Sequence, residues 1–188
     1  MHVIYAGSFG PLQDLEAVID AARILSERGV RVQFTIAGTG VELDRLRSRQ
    51  QREAIPSVHF LGAVPRGGMA DMYAQADALI VRLRDAPLSR IAIPQKTQTC
   101  LAVGRPVLME VQGEATSLIE EAGAGLAFVP ESATSLAEAV GRVCAMSPTE
   151  RRALGEHGRG FYAKRLSFRR GVEATIGAYE SLASGEAA

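Results

Sequence analysis

Short apolar runs alternate with amphipathic segments along this chain. The runs are Val3-Ile4-Tyr5, Val32-Gln33-Phe34-Thr35-Ile36, Val58-His59-Phe60-Leu61, Ala78-Leu79-Ile80-Val81, Pro106-Val107-Leu108-Met109 and Gly125-Leu126-Ala127-Phe128. Each has the length and makeup of a buried strand. Between the first two, Leu15, Val18, Ile19, Ala22 and Leu25 recur at helical spacing and stop before Gly29. Similar stripes follow at Met69, Met72, Tyr73 and Ala76, at Leu118, Ile119 and Ala122, and at Leu136, Val140 and Val143. Strands that alternate with covering helices require a parallel sheet buried on both faces. The expectation is therefore an α/β, Rossmann-like, three-layer αβα domain with a parallel sheet of about six strands.

Past about residue 130 the pattern turns to helix alone. Ser147-Pro148-Thr149-Glu150 offers an N-cap hydroxyl, a proline at the first helical position and a reciprocal glutamate, so a helix starts there. A last helix from about Ser167 carries Val172, Ile176 and Tyr179 on one face. One domain over residues 1–183 is expected, with 184–188 as a frayed tail.

Composition narrows the class without naming a chemistry. The chain has 188 residues, 47% of them hydrophobic and 22% charged, and its 21 basic and 21 acidic side chains cancel. A nucleic-acid platform is not expected from that balance. The apolar runs fall far short of the roughly 20 residues a membrane span needs, so no span is expected. Met1 runs straight into His2-Val3-Ile4-Tyr5-Ala6 without a basic segment and a long apolar core, so no signal peptide is expected either. Cys100 and Cys144 lack metal-ligand spacing and form no disulfide framework, which reads as two buried thiols in a reducing cytoplasm. His2, His59 and His157 show no spacing for a metal or an acid–base pair.

In a doubly wound sheet, ligands lie beyond the carboxyl ends of the strands, and the turns there carry the candidate chemistry. Gly7-Ser8-Phe9-Gly10-Pro11-Leu12-Gln13 leaves the first strand with glycines that permit close backbone approach, ahead of a helix start that presents free N–H groups. It is not the dinucleotide fingerprint, since no third glycine follows Gly10 at the right distance. Gly38-Thr39-Gly40 precedes a helix with Val41, Leu43 and Leu46, and Gly62-Ala63-Val64-Pro65-Arg66 leaves the third strand. In Ile93 to Val107, Pro94 stands at a helix start, Lys96 adds a full positive charge one short turn in, and Gly104 ends the helix. Gln112-Gly113-Glu114-Ala115-Thr116 puts an acid at another helix start. Glu114 can accept two hydrogen bonds from vicinal sugar hydroxyls, or can stabilise its helix dipole.

Taken together, five elements fit one pattern. They are the glycine-rich first turn with its leucine-rich helix, Ile36-Ala37-Gly38-Thr39-Gly40, Val58 to Val64, Met72-Tyr73-Ala74-Gln75-Ala76-Asp77-Ala78, and Leu101-Ala102-Val103-Gly104-Arg105-Pro106-Val107. The chain resembles the C-terminal, donor-binding half of the retaining GT-B glycosyltransferases of family four, over nearly its whole length. Through Ile93-Pro94-Gln95-Lys96-Thr97-Gln98 and Gly113-Glu114-Ala115 it is most similar to the branch that transfers fucosamine-type sugars in bacterial O-antigen and exopolysaccharide synthesis.

The resemblance implies binding of a nucleotide sugar, a uridine diphosphate sugar above all, with no obligatory metal or other cofactor. By matching positions, Gly7, Ser8, Gly10, Gln13 and Lys96 would meet the donor diphosphate, Gly38, Val64, Arg66, Gln98 and Thr99 the nucleoside, and Gly113 and Glu114 the donor sugar. No catalytic residue is assigned. Gln13 stands where many members carry a phosphate-binding lysine, and Ile91 and Thr99 stand where many carry two glutamates eight positions apart. The acceptor-binding N-terminal half is expected as a missing segment or a separate subunit, with transfer to a glycan or lipid-linked acceptor in the cytoplasm, at the inner face of the membrane through that half. Alone, the chain is expected to be inactive. The rival readings are a non-catalytic module docking to an acceptor-domain chain, a sugar-nucleotide epimerase-like half and, last, a nicotinamide oxidoreductase.

Overall fold

A computed structural model describes residues 1–184. Six strands form one sheet: β1 (His2–Ala6), β2 (Gln33–Ala37), β3 (Val58–Gly62), β4 (Ala78–Val81), β5 (Val107–Met109) and β6 (Gly125–Ala127). All neighbours pair in parallel, in the order β3-β2-β1-β4-β5-β6. The chain builds outward from β1 through β2 to β3, then returns to place β4 on the other side of β1. The β1–β4 boundary is thus the switch point, where the crossover connections diverge.

Both sheet faces are buried, and the residues alternate between them. Val3, Tyr5, Phe34, Ile36, Ala78 and Ile80 join one core with α1 (Glu16–Glu27), Leu46 of α2 (Leu43–Arg52) and α7 (Ala133–Ala145). Ile4, Leu79, Val81, Val107 and Met109 join the other with α3 (Met69–Ala74), α5 (Gln95–Val103) and α6 (Glu114–Ala122). This is the expected three-layer αβα arrangement. A five-residue helix, α4 (Pro87–Ile91), stands in the connection between β4 and α5, where the sequence pattern gave no helix.

The helical C-terminal third also forms as expected. Ser147 caps α8 (Pro148–Phe161): its hydroxyl accepts from the Glu150 N–H at 3.2 Å while Glu150 accepts from the Ser147 N–H at 2.7 Å. Gly155 packs on α5 so closely that a methyl there would lie 2.1 Å from the Gly104 carbonyl oxygen. A π-helical turn (Tyr162–Leu166) then leads into α9 (Phe168–Ser184), which buries no residue. The expected tail begins at Ser184, still in α9, and 185–188 lie outside the described residues. Cys100 is buried, but Cys144 is only partly so, which corrects the expectation of two buried thiols. Pro94 caps α5 from outside, and the helix begins at Gln95. Among the described residues, no helix is long and apolar enough to cross a membrane.

Candidate functional site

The loop leaving β1 is stitched to the loop leaving β2. Gly7 N–H donates to the Ala37 carbonyl at 3.0 Å and Phe9 N–H to the Thr39 carbonyl at 2.9 Å. Phe9 is fully buried between them. The join needs Gly38, whose φ is 137° and where a methyl would lie 1.8 Å from the Gly7 carbonyl oxygen. Beyond Phe9, the Gly10 N–H is taken by the Gln13 side-chain oxygen at 2.9 Å. From Gly7 to Gly10, Ser8 alone keeps an N–H without an acceptor.

A cleft of about 370 Å³ opens over the carboxyl ends of β1, β2 and β3, lined in part by Gly7, Ser8, Gly38, Thr39, Val64 and Tyr73. At its β4 side stands Lys96, from the first turn of α5. Its Nζ donates to Tyr5 Oη at 2.8 Å and lies 4.3 Å from the centre of the Tyr5 ring. Tyr5 in turn donates to the Ser8 carbonyl at 2.9 Å. The ammonium presses on the loop itself, since a methyl at Gly7 would sit 2.6 Å from Nζ.

Lys96 has no carboxylate partner among the described residues. Burial lowers its pKa to about 8, against a smaller upward pull from Cys100. Burial likewise raises the pKa of the Tyr5 hydroxyl, opposed by the charge of Arg82. A cation held in a half-dry crevice without a counter-ion is a place for an anion.

The cleft therefore brings together Gly7, Ser8, Gly38 and Val64, with Lys96 at its edge. Gly10 and Gln13 belong to the same loop but satisfy one another. Arg66 is exposed at the start of a short 3₁₀ turn (Arg66–Gly68). Gln98 and Thr99 are exposed on α5, and Gln98 lines a separate groove of about 640 Å³ against α9. Gly113, with φ of 82°, packs on the end of α4, where a methyl would lie 2.0 Å from the Arg90 carbonyl oxygen. Glu114 is exposed at the start of α6. Tyr5, Thr39, Met69 and Tyr73 join the site although the sequence pattern assigns none of them a ligand-binding role. Tyr5 in particular reads as an ordinary core position in the middle of an apolar strand, and only its hydroxyl hints at a polar partner.

Comparison with known proteins places this geometry. Residues 2–161 match the family described as "Glycosyl transferases group 1". The probable glycosyltransferase WbjE of Pseudomonas aeruginosa is 22% identical over 142 residues, which is 74% of this chain and 35% of that protein. Among solved structures, sucrose-phosphate synthase from Thermosynechococcus elongatus superposes with a TM-score of 0.81 at 22% identity, over 98% of this chain and 46% of that one. HepE of Anabaena, in complex with UDP and glucose, superposes with a TM-score of 0.75 at 20% identity, over 97% of this chain and 48% of that one. The chain thus spans less than half the length of each of these relatives.

Proposed function

Because the chain belongs to the group 1 glycosyl transferases, we propose that it is the C-terminal, donor-binding half of a retaining, nucleotide-sugar-dependent sugar transferase. The observation that carries this reading is Lys96, an ammonium without a counter-ion set against Gly7 and the unpaired Ser8 N–H at the β1–β4 switch point. A diphosphate in the cleft would take the Ser8 N–H and the Lys96 charge, with the nucleoside over Gly38, Thr39 and Val64. As the glycosidic bond breaks, negative charge develops on the leaving diphosphate, and a preorganised cation beside it lowers the barrier. The reading needs no metal, because Lys96 supplies that charge. The UDP found with HepE favours uridine as the base.

The sugar end faces the α4 region, where Gly113 meets Arg90. Leu88, Ile91 and Ile93 are exposed there. An apolar rim suits a donor that carries a methyl in place of a hydroxymethyl group, which supports the fucosamine-type branch. Gly113 and Glu114 border that end, and Arg66 borders the base by a reorientation of its exposed side chain.

The acceptor site belongs to an N-terminal half, on the same polypeptide or a separate subunit, that covers α9. Phe168, Val172, Ile176 and Tyr179 form an exposed stripe along that helix and line the groove of about 640 Å³ with Gln98. Transfer needs donor and acceptor held side by side, so the chain alone is inactive. The acceptor is a glycan or lipid-linked sugar, and the working place is the cytoplasm, at the inner membrane face through the other half.

Titration calorimetry with UDP tests the reading. Binding by this chain that weakens at least tenfold in Lys96→Ala supports it, and no binding overturns it. In that event the second reading takes over, a non-catalytic module that docks through α9. It is favoured by the same stripe and by Ile91 and Thr99, which supply no acid.

A further inference from the structure

One guanidinium gathers the strand exits around the donor cleft. Arg82, the first residue after β4, is completely buried. Its Nη2 donates to Asp14 Oδ2 and to Glu110 Oε1, both at 2.8 Å, and its Nε lies 2.8 Å from Glu110 Oε2. Asp14 closes the 3₁₀ turn Pro11–Gln13 of the β1 loop with a left-handed backbone, φ 44°. Glu110 follows β5 and also accepts the N–H of Glu131 at 2.8 Å, another left-handed residue, φ 56°, in the loop after β6. The segment after β4 adds two more ties to the β1 loop: the Arg84 N–H donates to the Leu12 carbonyl at 2.8 Å, and Arg84 Nη2 reaches Asp14 Oδ1 at 3.2 Å.

Such a cluster is a poor way to gain stability. Burying charges is costly, and apolar residues of similar volume often serve a core as well or better. Burial raises the pKa of Glu110, with Arg82 pulling the other way, a sign of the cost being borne. What the cluster does supply is direction. Two non-glycine residues sit in left-handed backbone, which costs each about 1 kcal/mol or more, and each is held there by one end of this network. The β1 loop carries Ser8, and β1 carries Tyr5, whose hydroxyl feels the Arg82 charge and holds Lys96.

We propose that Arg82, Asp14 and Glu110 are positioning residues for the donor diphosphate: together they hold the loop from Gly7 to Asp14 in its binding geometry against Lys96. The inference rests on the donor-binding reading for its ligand, but the loop geometry is measurable without one. Glu110 hydrogen-bonds to no residue of that loop and reaches it only through Arg82, so it provides the discriminating substitution.

The test is amide hydrogen exchange on ligand-free wild-type chain, Asp14→Asn and Glu110→Gln, together with UDP titration. Both variants should raise exchange at least tenfold in Gly10 to Leu15, leave α8 unchanged, and weaken UDP five- to thirtyfold. A merely structural role would instead show as uniform loosening, or, for Glu110→Gln, as faster exchange confined to the loop around Glu131. Either result overturns the proposal, as does UDP affinity within twofold of wild type in a folded Asp14→Asn. Should wild type fail to bind UDP, the donor reading falls, and the positioning inference falls with it as a statement about diphosphate. Exchange in the two variants then still decides whether Arg82 holds the loop.

Discussion

Replacing Lys96 by methionine should make the protein more stable and useless at once. The ammonium lies in a crevice that lowers its pKa from the ordinary 10.5 to about 8. That difference corresponds to about 3 kcal/mol of burial cost, at 1.36 kcal/mol per unit. The unfolded chain keeps its proton up to 10.5, while the folded protein lets go near 8. The cost is therefore fully present below pH 8, fades as the pH rises towards 10.5, and is absent above it. Methionine removes the charge and one heavy atom of length, and with them the hydrogen bond to Tyr5 Oη, worth about 1 kcal/mol, and the contact of the ammonium with the Tyr5 ring. Urea unfolding should then show Lys96→Met about 1–3 kcal/mol more stable than wild type at pH 7, with the gap closing by pH 10. UDP affinity should fall roughly 10- to 150-fold, the value of a charge-assisted contact of about 1.5–3 kcal/mol. A variant no more stable than wild type at pH 7, or a gap that ignores pH, would sink the argument that the site holds an uncompensated charge.

Three further outcomes can be checked. The charge on Lys96 is what attracts a diphosphate, so UDP affinity should be steady from about pH 7 to 8 and decline above that towards the value of the uncharged site, with proton uptake near pH 8 visible as a buffer-dependent calorimetric enthalpy. Gly38→Ala forces a methyl against the Gly7 carbonyl at positive φ and should cost about 2 kcal/mol or more in thermal unfolding, with UDP binding lost alongside. Ile176→Asp, on the exposed stripe of α9, should change the stability of this chain by less than about 0.5 kcal/mol; in ultracentrifugation with the complementary half it should abolish the complex, and a complex that persists would move the docking surface elsewhere.

The sheet was legible because each strand is an apolar run too short for a helix, and the covering helices kept a stripe of period near four. All six strands appear within a residue or two of where the runs lie. Helix α4 escaped because Pro87-Leu88-Ser89-Arg90-Ile91 is a single turn with no repeat from which a period can be read. The site was legible where it depends on backbone shape: Gly7 and Gly38 mark the close approach of two loops, and a glycine is visible in a sequence. Lys96 is marked as a candidate because it stands at a helix start. Tyr5 was not, since its ring serves the core and only its hydroxyl serves the site. Arg82 and Glu110 escaped too, because nothing local marks partners that lie 28 positions apart and meet only when β4 and β5 pair. Arg66 and Glu114 are marked by their turns as well as by the resemblance and Gln98 by the resemblance alone, and the fold leaves all three exposed outside the cleft.

The hydrogen bond from Gly10 to Gln13 also decides what a cation at position 13 would do to the loop. A lysine in place of Gln13 would have no oxygen with which to accept the Gly10 N–H. A glutamine codon becomes a lysine codon by one base change. That single step would leave the Gly10 N–H without its acceptor while adding a cation to the β1 loop. In this loop a gain of positive charge at position 13 is therefore tied to the loss of the hydrogen bond that caps its 3₁₀ turn.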